Sequence, residues 1–421
     1  MSTETKTRLV PKLRFPEFQG SDGWHIKQLN QYLFEPKKRN RNLELGPSHV
    51  LSVSGEYGCV NQIEFMGRSY AGVSVKDYHV VEHGDLVYTK SPLKRNPFGI
   101  IKENKGKRGI VSTLYAVYRP FADCSGTYLD HFFSGDYNLN SYLQPLVKKG
   151  AKNDMKVNNT DVLKGNICVP NIREQQKIAD CLSSLDELIA AQGRKVEALK
   201  THKKGLMQQL FPREGETQPR LRFPEFQNTV AWGEQSVGDF GKVVTGRTPS
   251  TAQRAFYGGG IPFASPADIS DLRFVDQTKT TLTPEGFAET RPIRAGSVLF
   301  VCIGSTIGKV AQNVRDCATN QQINSVVPSS KHSDNFVYFA LSYASERIAL
   351  LAGRQAVPII NKSLFSSVQL PAPKFAEQKR IADCLIALDD LIAAATQGFD
   401  TLKTHKKGLM QQLFPSVEMI E

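Results

Sequence analysis

The chain contains one long stretch twice. Leu199 to Pro212 reads LKTHKKGLMQQLFP, and Leu402 to Pro415 repeats it residue for residue. Each copy closes a longer apolar-periodic segment in fixed register, since Cys384 minus Cys181 and Leu413 minus Leu210 both give 203. Read in steps of four and then three, the first copy places Ile178, Leu182, Leu185, Ile189, Gln192, Val196, Leu199, Lys203, Leu206 and Leu210 on one stripe. The second places Ile381, Leu385, Leu388, Ile392, Ala395, Phe399, Leu402, Lys406, Leu409 and Leu413 on another. A repeat of 3.5 residues held over several heptads is the seam of helices that wind around a partner. Two unrelated core helices sharing a stripe by chance would not also share exposed polar residues. The repeat therefore predicts two long helices, each the other's natural partner, packed as an antiparallel coiled coil. Gly193 and Gly398 near mid-helix each cost about 1 kcal/mol against Ala and are candidate kinks.

The duplication reaches further. Leu13 to Gln19 and Leu221 to Gln227 both read LRFPEFQ, and each is followed by a tryptophan, Trp24 and Trp232, at an offset of 208. The two units thus match at their ends and differ by a net five residues between. This gives an N-terminal segment over 1–23, a first globular domain over 24–172, a first helix over 173–212 and a polar linker with the LRFPEF repeat over 213–231. A second domain over 232–375, a second helix over 376–415 and a tail over 416–421 complete the chain. Both domains read as mixed α/β (α+β). In the first, HVLSVS, YHVVEHGDLVYTK and GIVSTLYAVYRP are rich in Val, Tyr and Thr between Gly and Pro breaks, and short helices are expected around Tyr128 to Phe133 and Tyr137 to Val147. In the second, strands are expected near Gly296 to Cys302 and Ile323 to Pro328, with a helix from Asn335 to Leu351.

No run approaches the ~18 apolar residues of a membrane span, and MSTETKTRLVPK lacks the apolar core of a signal peptide, so a cytoplasmic, membrane-free protein is expected. Seven cysteines without a CxxC pair read as reduced core residues. The net charge is +12. Residues 21–171 carry 20 Lys and Arg against 14 Asp and Glu, whereas the second helix balances 5 against 5, so the excess lies in the globular parts.

Catalytic motifs fail on inspection. His79-Val80-Val81-Glu82-His83 matches an inverted zinc-peptidase pattern, but its surroundings alternate like a strand, which separates the two imidazoles. Gly304-Ser305-Thr306-Ile307-Gly308-Lys309 resembles a phosphate loop but has Ile303 and Val310 where Gly and Ser/Thr are required. Asn96-Pro97-Phe98 lacks the second proline of an amino-methyltransferase tetrapeptide, and no Gly-rich cofactor loop follows a strand. No catalytic residue and no metal ligand is assigned.

What remains is basic and polar loops. In the first domain they hold Lys37, Lys38, Arg39 and Arg41; Lys90, Lys94, Arg95 and Asn96; Lys105, Lys107 and Arg108; and Lys148, Lys149 and Lys152. In the second they hold Arg247, Thr248, Arg254, Tyr257, Lys309, Asn320, Gln321, Gln322, Arg354 and Gln355. A Lys/Arg run is more often a solvated face than a site. Several clusters in one domain, interleaved with Asn and Gly, suit phosphate contacts and base-edge readout of double-stranded DNA, where Arg pairs with guanine and Asn or Gln with adenine.

Taken with the duplication, TGRTPSTAQRAFYGGGIPFASPADI (Thr245 to Ile269), AGSVLFVCIGSTIGKVA, ATNQQINSVVP and LPAPKFAEQKRIADCLIALDDLI in the second unit resemble the specificity subunit of type I restriction-modification enzymes. In the first unit VNQIEFMGRSYAGVSVKDYHVVEHGDLVYTKSPLKRNPFGII and VPNIREQQKIADCL carry the same resemblance, although KKRNRN stands in place of the GRTPS-type entry. The resemblance implies two target recognition domains in pseudo-twofold repeat, each reading half of a split DNA sequence, with the helices as spacer. It implies a chain without catalysis of its own, on which two methyltransferase subunits and restriction subunits assemble; S-adenosylmethionine, ATP and magnesium would belong to those partners. The 32 residue steps from Ile178 to Leu210 would make a spacer of roughly 48 Å at about 1.5 Å per residue, of the order of the ~34 Å between modules on one DNA face. The competing reading is a non-catalytic assembly scaffold whose twin domains bind proteins.

Overall fold

Each globular domain begins where the chain after its tryptophan pairs with the strand that feeds its long helix. The structure, a computed structural model, describes residues 10–91, 93–149, 155–270, 272–353 and 357–415. Two compact units result, one built from residues up to Gly193 together with those from Gln397 onward, the other from Arg194–Thr396.

In the first unit, β1 (His25–Gln28) pairs antiparallel with β12 (Asn166–Val169). A four-stranded sheet has the order β2-β9-β6-β7, from Leu33–Phe34, Tyr115–Pro120, Leu86–Thr89 and Ile100–Glu103. The hairpin β3 (Leu51–Ser54) and β4 (Gly58–Asn61), followed by the short helix α1 (Gln62–Met66), and the pair β5 (His79–Val81) with β8 (Gly109–Val111), accompany it. Helices α2 (Gly126–Ser134) and α3 (Asp136–Leu143) follow β9, then the short strands β10 (Lys148–Lys149) and β11 (Met155–Lys156) and α4 (Asn159–Val162). Ser125 caps α2 by accepting from the Tyr128 amide, and its own amide donates to Gln175 at the start of α5 (Ile172–Leu210). Trp24, Leu33, Tyr88, Tyr118, Tyr128, Phe132 and Phe133 form the core.

The second unit repeats the plan. β13 (Gly233–Ser236) pairs with β22 (Gln369–Ala372), and the short α6 (Val237–Phe240) leads into β14 (Gly241–Thr245). The five-stranded sheet has the order β14-β21-β18-β19-β16, where β16 is Phe274–Val275, β18 Val298–Val301, β19 Val310–Asn313 and β21 Ile323–Pro328. A three-stranded sheet joins β15 (Tyr257–Ala264), β17 (Thr280–Leu282) and β20 (Ala318–Thr319), with α7 (Pro284–Ala288) after β17. Helices α8 (Asp334–Ala349), α9 (Lys362–Ser367) and α10 (Phe375–Leu413) follow. The register is shared: Leu33 opposes Pro120 and Gly241 opposes Pro328, 208 apart on both strands.

The two exact repeats explain each other. In the first unit the Leu13 amide donates to the Gln412 carbonyl at 2.9 Å, and in the second Leu221 donates to Gln209, also at 2.9 Å. LRFPEFQ is thus one half of a joint whose other half is the end of LKTHKKGLMQQLFP. Beside it Arg14 grips Glu174 through two bonds of 2.7 Å, and Trp24 Nε1 donates to the same carboxylate at 3.1 Å. Arg222, Trp232 and Glu377 reproduce all three distances. Phe414 then packs edge-on to Tyr128 and Phe132, while Phe211 packs against Trp232 and stacks on Phe336.

Both long helices run 39 residues, and no seam position is fully exposed. Within the first unit Asp186 pairs with Lys406, and a Cβ on Gly193 would lie 3.2 Å from the Phe399 ring. Rising numbers on α5 meet falling numbers on α10, so these stretches pack antiparallel. Within the second unit Lys203 of α5 pairs with Asp389 of α10. The glycines expected as kinks have a packing role. Both helices continue through their glycines, and a Cβ on Gly398 would lie 3.1 Å from the Gln192 amide, so the glycines admit a close approach between helices. The seam's ends do something heptads did not announce: Ile178 and Leu182 join the first unit's core, and Ile381, Leu385 and Leu210 the second's.

Candidate nucleic-acid interface

In the second unit the chain leaves the sheet after Thr245, whose hydroxyl donates to Asn324 Oδ1 at 2.6 Å. The next residue must be glycine, because a Cβ on Gly246 would lie 2.2 Å from the Asn320 carbonyl oxygen. That closeness ties the GRTPS loop to the turn after β20. Arg247 donates its amide to the Thr319 carbonyl at 2.9 Å, and Thr248 donates its hydroxyl to Gln321 Oε1 at 2.8 Å. Asn320 Nδ2 donates to Gln322 Oε1 at 3.0 Å, and Tyr257 closes the loop by donating to the Pro249 carbonyl at 2.8 Å. Arg247, Thr248, Tyr257, Asn320, Gln321 and Gln322, scattered over 76 positions from 247 to 322, are therefore bonded into one loop cluster. The Arg247 guanidinium is exposed and has no ion-pair partner among the described residues. Arg254 is exposed in the 3-10 turn before β15.

Lys309 stands apart. Gly304 and Gly308 take positive φ values of 95° and 93° in the connection from β18 to β19, and Lys309 Nζ donates to the Ile269 carbonyl at 3.0 Å. The phosphate-loop look-alike is thus a strand-to-strand turn with its lysine engaged inside the domain. Arg354 and Gln355 lie outside the described residues.

In the first unit, Lys37 and Arg41 are exposed, Lys38 pairs with Glu82 at 3.4 Å, and Arg39 Nη1 donates to the Asp77 carbonyl at 3.2 Å. Asn40 between them is buried and holds the loop, donating to the carbonyls of Leu45 and Val75 and accepting from the Leu45 amide. Lys94, Arg95 and Lys107 are exposed, and Lys90 is half-buried, with its pKa lowered by burial. Three candidates have polar or charged partners within the domain. Asn96 is buried and donates to Asp136, Arg108 bridges Glu44 and Glu82, and Lys105 binds Asp130 at 2.8 Å. Burial works against charge on Asp130, but Lys102 and Lys105 outweigh it and the carboxyl pKa falls. The backbone of Lys148 and Lys149 forms β10, and Lys152 lies outside the described residues.

His79 sits on β5, as the alternation requires, and burial aided by Arg39 and Lys90 lowers its pKa to about 4, so its imidazole is neutral near pH 7. His83 faces the Gly106 carbonyl at 3.2 Å. Among the described residues no helix is long and apolar enough to cross a membrane. Sequence reasoning missed Glu174 and Glu377, although both stand at matching places in the duplicated helix starts, and it missed Gly246, whose signal was its place inside TGRTPS.

Residues 229–403 match the family described as the type I restriction modification DNA specificity domain. The chain is 26% identical over 275 residues to the putative type I restriction enzyme MjaX specificity subunit of Methanocaldococcus jannaschii, covering 63% of this chain and 62% of that protein. It is 32% identical over 147 residues to the type I restriction enzyme HindI specificity subunit of Haemophilus influenzae, covering 34% of this chain and 32% of the relative. The matches thus span less than two thirds of these relatives' lengths. The fold is that of the type I restriction-modification system S subunit from M. genitalium, with a TM-score of 0.58 at 12% identity, covering 97% of this chain and 99% of that one.

Proposed function

We infer that this chain, whose residues 229–403 carry a type I DNA specificity domain, is the target-recognition subunit of a type I restriction-modification enzyme, each of its two domains reading one half of a split DNA target. The observation that carries this reading is the repetition of one structural framework. The unmatched first domain has the strand register, the Arg-Trp-Glu clasp and the helix-end joint of the matched second one. A domain type matched to DNA specificity, present twice with different loops, suits two different half-targets. The long helices set a non-specific gap between them. The chain contributes recognition and assembly, and chemistry resides on partners: methyltransferase subunits with S-adenosylmethionine, and restriction subunits with ATP and magnesium.

Co-expression with a type I methyltransferase subunit and sequencing of the host DNA for modified adenines tests this. A split motif with a gap of fixed length is the expected result. A stable complex that leaves the genome unmodified, and binds no duplex selectively, would favour the protein-scaffold alternative.

A further inference from the structure

Resting on that reading, we propose that Arg39 and Arg247 are a matched pair of specificity-determining residues, each presenting its guanidinium to a guanine in its own domain's half-target. The sequences KKRNRN and TGRTPS do not align by eye, but the sheet aligns them. Leu33 opposes Pro120 in the first unit and Gly241 opposes Pro328 in the second, and both members of each pair are offset by 208. Flanking contacts repeat too, their first partners offset by 208 and their second partners, which lie at the entry to the long helices, by 203: the Leu29 amide meets the Gly165 carbonyl as Val237 meets Val368, and Ser125 meets Gln175 as Ser333 meets Gln378. Arg39 stands six residues after Leu33, and Arg247 six after Gly241. Each arginine leaves the same sheet edge at the same count.

Both are held by the backbone; the Arg247 tip is exposed, and the half-buried Arg39 tip makes one hydrogen bond, from Nη1 to the Asp77 carbonyl at 3.2 Å, which leaves its other N–H donors for a ligand. Arg39 forms a β-bridge with His79, and the Asn40 amide donates to Tyr78 at 3.0 Å; Arg247 donates its amide to Thr319 at 2.9 Å, beside Gly246, whose site admits no Cβ. Neither guanidinium meets a carboxylate among the described residues, whereas Arg108, Arg119, Arg294 and Arg315 all do. A planar donor fork on a rigid stem suits bidentate recognition of guanine O6 and N7, and its fixed backbone limits the ordering cost of binding.

The test measures duplex affinity of the methyltransferase complex carrying Arg39→Ala, Arg247→Ala or the corresponding lysine variants, against duplexes with single base-pair changes in each half. Each alanine variant is expected to weaken binding by about ten- to a hundredfold and to lose the penalty for changing one G·C pair in one half only, Arg39 and Arg247 acting on opposite halves. Unchanged penalties at every position, relaxation of both halves by one variant, or full rescue of selectivity by lysine would overturn the assignment, the last because lysine keeps a phosphate contact but not the fork. A wild-type complex with no split target would instead overturn the function proposed above.

Discussion

At the residue scale the strongest local constraint is a carboxylate that the heptad pattern hides. Glu174 and Glu377 each accept a bidentate arginine and an indole N–H while almost fully buried, with side chains 1% and 3% exposed. Removing one member of such a pair strands a desolvated charge, which costs about 3–5 kcal/mol. Glu377→Ala is therefore expected to lower the urea midpoint of the second unit's unfolding markedly. Glu174→Ala should do the same in the first unit, because the geometry is duplicated; a change under about 1 kcal/mol in either would show that the clasp is dispensable. The tryptophans that partner these carboxylates were legible as repeats. Their role was not, because sequence spacing does not say which distant acid an indole meets.

Among elements, the long helices were legible in advance because a 3.5-residue repeat leaves few alternatives. Their glycines carry a packing role that the kink expectation did not include, since a propensity cost looks the same whether the backbone bends or a neighbour comes close. In this protein Phe399 and Gln192 fill the space that a side chain would need. If the helices space the half-targets, deleting four residues from the middle of α5 removes about 6 Å of rise, or one to two base pairs of DNA. The gap in the methylated motif should then shorten by that amount, and an unchanged gap would contradict the ruler role. The strands of both domains were half legible. β21 ends where Val, Ile and Pro indicated; β14 was not singled out although Val243, Val244 and Thr245 favour a strand, and β19, with only Val310 of that kind, is a strand through its pairing with β18.

For the whole molecule, the repeat order along the chain and the compact units do not coincide, since the first unit takes in the end of the second helix. Leu13 and Gln412 meet across the joint that, in the second unit, the covalent segment from Gln209 to Leu221 already spans. A chain opened within 213–219, with Pro415 joined to Pro11 by a copy of that segment, should keep every joint. It is expected to fold with unchanged helix content and near-native unfolding midpoint by circular dichroism; a molten chain would show that the natural order of the repeats matters. The sequence by itself determined the duplication, the two helices, the mixed α/β domains and the basic loops, because periodicity, identity and charge are local and countable. Only the tertiary structure decided which cations remain free, which arginines stand at equivalent places and where each helix end is seated. Those outcomes depend on which distant carboxylate, carbonyl or aromatic ring folding brings within bonding distance, and no spacing along one chain specifies that.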